Sequence, residues 1–338
     1  MILITGGAGY IGSHCALRLI EAGRDIVIFD SLDTGHSKTV NTLETLDLKG
    51  KMVDFIKGNL QNYNDINGVF KKYKISAVIH FAAFSQVGES VLNPQKYYYN
   101  NVFGSLNLFK SMLENNVNKI VFSSSAAVYG EPEYVPIDEE HPKKPINPYG
   151  TTKFIIEQIL DDYDKAYGLK SVRLRYFNVA GAEEKCRIGE WHEPETHLIP
   201  NILKSVFSDN AVFEIYGDDY NTPDGTCIRD YINIDDLISA HISALDYLNN
   251  GGKTDYFNLG TKTGSSVKEV FKTCEDIIGK SVKYELKDRR EGDPAVLVAD
   301  NEKAVDILNW EIKHNLKYGI KNAYTWEKKL QDTLLNNK

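Results

Sequence analysis

The chain opens on a short apolar run, residues 2–4, that stops at Gly6, and a second apolar run, residues 26–29, ends at Asp30. Between them stand Gly6, Gly7, Gly9 and Gly12, then a stretch whose apolar positions have helical spacing. The pattern predicts a strand, a glycine-rich turn, a helix and a strand with an acid at its tip. The rhythm continues with predicted strands at 52–56, 77–82, 119–123 and 171–177 and helices at 63–73 and 149–167. A long helix is predicted after Pro94, running through Tyr98, Val102, Leu106 and Leu113. The strands are rich in Val, Ile and Phe without polar alternation, which suits a sheet buried on both faces. Alternating elements of this kind predict an α/β fold, a Rossmann-type doubly wound parallel sheet. Beyond about Ala182 polar loops, 183–196 and 217–226, separate helix-like patterns at 198–207, 235–248, 266–279 and 301–308. The expected division is 1–181 for the doubly wound domain and 182–338 for a smaller α/β substrate-binding domain, with a cleft between them.

The glycines give the first unit a chemistry. Gly7-x-Gly9-x-x-Gly12 sits between a predicted strand and a helix. In such a loop the glycines allow a tight turn, close approach of a pyrophosphate and close helix–strand packing. The helix N-terminus offers free N–H groups and a partial positive charge to phosphate. Asp30 stands where a carboxylate bonds ribose hydroxyls, which favours NAD over NADP.

Composition narrows the classes that remain. Apolar residues make up 42 % and charged residues 25 %, ordinary for a globular protein. The net charge of −8, with no basic patch interleaved with aromatics, argues against nucleic acid as a partner. Four scattered cysteines, without a CxxC, signal neither a disulfide framework nor a zinc site and are expected to be reduced. The first apolar run is too short for a signal peptide and no stretch is long enough for a membrane span, so a cytoplasmic protein is expected.

Tyr149 and Lys153 are four residues apart at the start of a predicted helix and share a face. A neighbouring ammonium and a cationic nicotinamide both favour a phenolate, which makes Tyr149 a candidate general base. Ser123, Ser124 and Ser125 end the strand before it, and ligands of open α/β sheets bind beyond the carboxyl ends of strands. One of these hydroxyls is therefore expected in the same cleft. His192-Glu-Pro-Glu-Thr-His197 has histidines five apart rather than four, and Pro194 would interrupt a helix, so no metal site is expected there.

These residues carry a resemblance to a known family. Gly6-x-x-Gly9-x-x-Gly12, the strand-end serine and Tyr149-x-x-x-Lys153 resemble the extended short-chain dehydrogenase/reductase superfamily, and within it the 4-epimerases of UDP-sugars. The likeness runs nearly the whole chain, through His80-Phe-Ala82, Arg175-Tyr-Phe-Asn178, Arg229-Asp-Tyr231, Asn258-Leu-Gly260 and Arg289-Arg-Glu-Gly-Asp293.

The resemblance implies interconversion of UDP-glucose and UDP-galactose with NAD as cofactor, by a homodimer. It makes Ser125 the catalytic hydroxyl, Tyr149 the base and Lys153 the group that holds the nicotinamide ribose. It implies Gly6, Gly9, Tyr10, Ile11 and Gly12 at the pyrophosphate, Asp30 and Ser31 at the adenosine ribose, and Asn59 and Leu60 at the adenine. Phe81, Ala82, Asn100, Ser123 and Tyr176 line the rest of the cofactor channel in this reading. Asn178, Arg229 and Arg289 grip the diphosphate, and His197, Leu198, Tyr216 and Asp293 surround the sugar and uridine. Leu297 occupies the position that limits space around the hexose. The related alternatives are a nucleotide-sugar 4,6-dehydratase, an epimerase of UDP-N-acetylglucosamine and a non-catalytic NAD sensor. A dehydratase needs an extra acid and base after the strand-end hydroxyl, where this chain has Ala126 and Ala127.

Overall fold

Every residue of β1 (Ile2–Thr5), β2 (Ile26–Asp30) and β4 (Ala77–His80) is buried, as the unbroken apolar runs require. The structure, a computed structural model, describes residues 1–207, 212–290 and 293–335. With β3 (Met52–Lys57), β5 (Lys119–Ser123), β6 (Lys170–Tyr176) and a strand from much later in the chain, these form one parallel sheet. Its order from one edge is β3-β2-β1-β4-β5-β6, followed by Asp255–Leu259. The edge strand β3 is only partly buried, and its Asp54 and Lys57 are accommodated there.

Helices cover both faces. On one, Leu17, Leu19 and Ile20 of helix Tyr10–Glu21 meet Leu237, Ile238 and Leu245 of helix Ile234–Asn249. On the other, Ile66 and Phe70 of helix Tyr63–Lys72 meet Leu108, Phe109 and Met112 of helix Gly104–Glu114. The order reverses at β1 and β4, where the outward helices diverge and a crevice opens beyond the strand ends.

The second half of the chain differs most from the pattern in its sequence. Phe177 alone separates β6 from β7 (Asn178–Ala180), so the chain leaves the large sheet and enters a smaller one within a single residue. There β7 pairs with β9 (Ile228–Asn233), which also pairs with β11 (Gly264–Ser266) and β13 (Val296–Leu297). β8 (Phe213–Tyr216) and β12 (Tyr284–Lys287) make a separate two-stranded ribbon. These strands are two to six residues long, too short to show a period. The strand Asp255–Leu259, which is β10, and helix Ile234–Asn249 return to the large sheet, so residues after 182 contribute to both bodies.

The long helix predicted after Pro94 is interrupted. It consists of a turn, Pro94–Tyr97, a π-helical segment, Tyr98–Phe103, and the helix Gly104–Glu114. Asn101 explains the widened turn: its buried amide donates to the Phe84 carbonyl (3.0 Å) and to the Thr152 hydroxyl (3.1 Å). Its Oδ1 accepts from the Phe84 N–H (2.9 Å). A π segment re-aims the residues that follow it and is frequent at functional sites.

All four cysteines are free and buried. Among the described residues no helix is long and apolar enough to cross a membrane.

Candidate functional site

The glycine loop closes with little room to spare. Gly6 has φ +75° and a Cβ there would meet the Ala82 nitrogen at 2.6 Å; a Cβ on Gly12 would meet the Gly6 carbonyl oxygen at 2.1 Å. Both positions therefore demand glycine, one for its conformation and one for close approach. Helix Tyr10–Glu21 starts behind Gly9 with no side-chain cap, so its first N–H groups face the cleft. Asp30 is anchored beside this loop: its Oδ2 accepts from the Ala8 N–H (3.0 Å) and its Oδ1 from the Leu32 N–H (2.8 Å). Burial raises its pKa, and those two N–H groups counter the rise. A bare backbone cradle next to a backbone-oriented carboxylate fits a dinucleotide pyrophosphate and its ribose.

A cleft of about 480 Å³ runs from this loop to the smaller sheet. Gly6, Gly9, Tyr10, Ile11, Gly12, Asp30, Ser31, Asn59, Leu60, Phe81, Ala82, Asn100 and Tyr176 all line it. Ser123 stands behind the lining, its hydroxyl 2.7 Å from that of Tyr176. Asn59 Oδ1 already accepts from the Gln61 N–H (2.8 Å), which leaves one lone pair for an adenine amine.

Ser125, Tyr149 and Lys153 converge midway along the cleft. Asn147 caps helix Pro148–Tyr167 by accepting from the Gly150 N–H (2.9 Å), and Pro148 occupies its first turn. The Ser90 hydroxyl accepts from the Tyr149 N–H (3.2 Å). Lys153 is buried, and its Nζ donates to the Ser123 carbonyl (2.7 Å) and lies 5.9 Å from the Tyr149 ring centre. Burial pulls its pKa down to about 7, against the pull of Glu157. Burial also raises the Tyr149 phenol, and the Ser125 hydroxyl draws it back down. The rise comes from burial of the phenol itself, and the Ser125 hydroxyl is the group of the protein that favours the phenolate.

The smaller sheet assembles the far end. Its register sets Asn178 opposite Tyr231 and Leu297 opposite Arg229, so three short strands bring Asn178, Arg229 and Leu297 to the cleft. Arg229 is buried and paired with Asp293. His197 and Leu198 line the same end. Besides Ser123, two expected residues do not line the cleft. Arg289, on the loop after β12, donates through Nε to Asp219 (2.6 Å) and stacks on Tyr220 (4.2 Å); Tyr216, at the end of β8, bonds Glu214 and lies under Arg290. Arg289 is held by a carboxylate on the loop after β8, and Tyr216 by one on its own strand. Glu291 and Gly292 of the Arg289–Asp293 string lie outside the described residues.

Some functional side chains escaped the sequence reading. Glu157 follows Tyr149 and Lys153 at the same helical spacing, yet its role needs the tertiary structure. Buried beneath the site, it takes a two-point contact from Arg175, Nε to Oε1 at 2.9 Å and an Nη to Oε2 at 2.5 Å, and accepts from the Ser124 hydroxyl at 2.6 Å. Arg175 also donates to the Tyr129 hydroxyl (2.9 Å). This network holds the serine-bearing strand end to the helix that carries Tyr149. A second group is the non-helical loop 190–197, where Glu190, His192, Glu195 and His197 bring one ligand atom each to within 4.8 Å of one another. The helical spacing used to set this motif aside does not apply to a loop. Burial disfavours the charged rings, but the flanking carboxylates outweigh it and raise His192 to about 9 and His197 to about 10.

The profile of the family described as GDP-mannose 4,6 dehydratase matches residues 3–323. A UDP-glucose 4-epimerase of Lactobacillus helveticus is 48 % identical over 328 residues, 97 % of each chain. The chain is also similar to the crystal structure of UDP-glucose 4-epimerase from Brucella ovis in complex with NAD, with a TM-score of 0.90, 43 % identity and 96 % and 97 % of the two chains covered. The Bifidobacterium longum UDP-glucose 4-epimerase in complex with NAD+ and UDP gives a TM-score of 0.92 at 38 % identity, covering 98 % and 99 %.

Proposed function

Because the chain belongs to the UDP-glucose 4-epimerases of the extended short-chain dehydrogenase/reductase superfamily, we propose that Ser125, Tyr149 and Lys153 carry out its proton chemistry. The enzyme interconverts UDP-glucose and UDP-galactose by inversion at C4 through a transient 4-keto sugar, with NAD as cofactor. When bound, NAD supplies reversible acceptance of the C4 hydride, so no net redox change results. Tyr149 takes the proton of the 4-hydroxyl and returns it after the keto sugar has turned its other face. Ser125 holds the reacting oxygen, and Lys153 orients the nicotinamide ribose beneath Tyr149. Burial raises the Tyr149 phenol, and a positive charge arriving with the cofactor would favour its ionised form. Arg229, with Asn178 beside it, grips the diphosphate through charge-assisted bonds, while the hexose stays loosely held and free to rotate. The large sheet holds the dinucleotide and the small sheet the UDP-sugar.

The observation that carries this reading is the convergence of the serine, tyrosine and lysine in one cleft between a glycine cradle and a buried arginine. Elimination of water is disfavoured at the same place, because Ala126 and Ala127 follow Ser125 and have no proton to move. A homodimer is supported by apolar side chains left exposed around the π segment and the end of the catalytic helix, Tyr98, Tyr99, Phe103 and Tyr167. The cytoplasm is the compartment that suits four free thiols. Incubation with UDP-galactose and no added NAD is expected to yield UDP-glucose without accumulating NADH. Stoichiometric NADH, or a requirement for NADP, overturns the reading.

Leu297 sets the substrate range in this proposal. It lines the cleft and packs against the cluster that contains Ala126 and Phe177. The parent is expected to turn over the plain hexoses well and the N-acetyl pair weakly. Leu297→Gly opens volume for an acetamido group and is expected to raise kcat/KM for UDP-N-acetylglucosamine relative to UDP-glucose. An unchanged ratio means that Leu297 is not the gate.

A further inference from the structure

The loop 190–197 lies across the mouth of the cleft and leads directly into helix Leu198–Ser205. Four of its titratable side chains, Glu190, His192, Glu195 and His197, face one another. Nδ1 of His192 lies 3.3 Å from Glu190 Oε1 and 3.7 Å from Glu195 Oε1. Nδ1 of His197 lies 3.4 Å from the same Glu195 oxygen and 2.6 Å from the same Glu190 oxygen. Donors about 2.0–2.1 Å from a zinc ion at tetrahedral angles stand about 3.3 Å from each other. Three of the four nitrogen–oxygen separations are close to that edge, and the fourth is a direct ion pair that a small movement would open.

His192 Nδ1 is itself shielded from solvent, and its best contact is the loose 3.3 Å approach to Glu190, which does not meet hydrogen-bond geometry. Coordination to a cation would satisfy a nitrogen held that loosely among carboxylate oxygens. Two imidazoles and two carboxylates suit a borderline-soft divalent ion, and the two carboxylates balance its charge. The outer contacts also fit. Lys204 approaches Glu195 on its other oxygen, Oε2, at 3.5 Å, while Oε1 is oriented by the N–H groups of Thr196 (2.9 Å) and His197 (3.0 Å). Trp326 donates from its indole nitrogen to the Glu190 backbone carbonyl at 2.8 Å. The Tyr10 ring packs edge-on against His192, 6.3 Å between centres.

We propose that Glu190, His192, Glu195 and His197 bind one zinc ion at the mouth of the cleft. With four protein donors the site is closed, so its role is structural rather than hydrolytic. It ties the loop to the start of the helix that presents Leu198, and it fixes His197 in the tautomer with Nδ1 on the metal and Nε2–H free to donate. Zinc binding is thereby a property of this chain beyond its epimerase chemistry.

The test uses protein prepared without a histidine tag, stripped with chelator, exposed to zinc chloride and dialysed. Elemental analysis is expected to find about one zinc ion per chain in the parent, and a small fraction of that in His192→Ala and in Glu195→Gln. Cobalt in place of zinc is expected to give the intense visible bands of a four-coordinate ion in the parent. Circular dichroism reports whether each variant is folded. If a variant does not fold, the cobalt spectrum of the parent decides alone. Absence of stoichiometric metal, the weak bands of six-coordinate cobalt, or equal zinc in parent and folded variants overturns the site and leaves the cluster as a network of ion pairs. None of these readouts depends on turnover, so the epimerase reading stands or falls separately.

Discussion

Tyr149→Phe is expected to lower kcat about a hundredfold or more, the usual scale for losing a positioned general base. The substitution removes one oxygen and leaves the ring where it packs. The Ser90 contact to residue 149 uses the backbone N–H and survives. The glycine cradle and Asp30 are untouched, so NAD released from the denatured variant should match the parent's in amount. The measurement pairs that cofactor content with the rate of UDP-glucose formation from UDP-galactose. Turnover close to the parent's with full NAD content would show that another group takes the 4-hydroxyl proton. Because burial raises the Tyr149 phenol, a chain stripped of NAD should also show Tyr149 ionising well above neutrality.

Glu157→Leu is expected to destabilise the fold by about 3–5 kcal/mol, because it strands the buried guanidinium of Arg175. The Arg175 side chain would keep the Tyr129 hydroxyl and the faces of Tyr129 and Tyr256, 5.2 and 4.3 Å from the ring centres, but no opposite charge in contact. Ser124 would lose its acceptor at the same time, next to Ser125, the proposed catalytic hydroxyl. A lower urea midpoint together with a lower kcat is therefore expected. The double variant Glu157→Leu/Arg175→Met removes both charges and is expected to recover much of the stability, since apolar replacement of a buried pair is often neutral. A single variant that unfolds at the parent's midpoint would mean that the pair contributes nothing to holding strand and helix together.

The parts of the protein legible in its sequence are those set by neighbours along the chain. The glycine loop and Asp30 fall within one strand–helix–strand unit, so spacing alone placed them. Tyr149 and Lys153 share a face because an α-helix repeats every 3.6 residues, whatever it packs against. The buried strands of the large sheet announced themselves because both faces are covered and no polar alternation interrupts them. Other features depend on partners far away in sequence, and only the tertiary structure decided them. β7, β9 and β13 are short strands without a period, and their pairing alone brings Asn178, Arg229 and Leu297 together. The π segment exists because Asn101 answers Phe84 and Thr152, and Glu157 is held by an arginine 18 residues on. Arg289 and Tyr216 were read as site residues but follow the carboxylates nearest to them in space. The four side chains of 190–197 meet because a loop, unlike a helix, can fold donors of irregular spacing onto one point. Local periodicity can be read from one dimension; charge pairing and strand partnership are settled by distances in three.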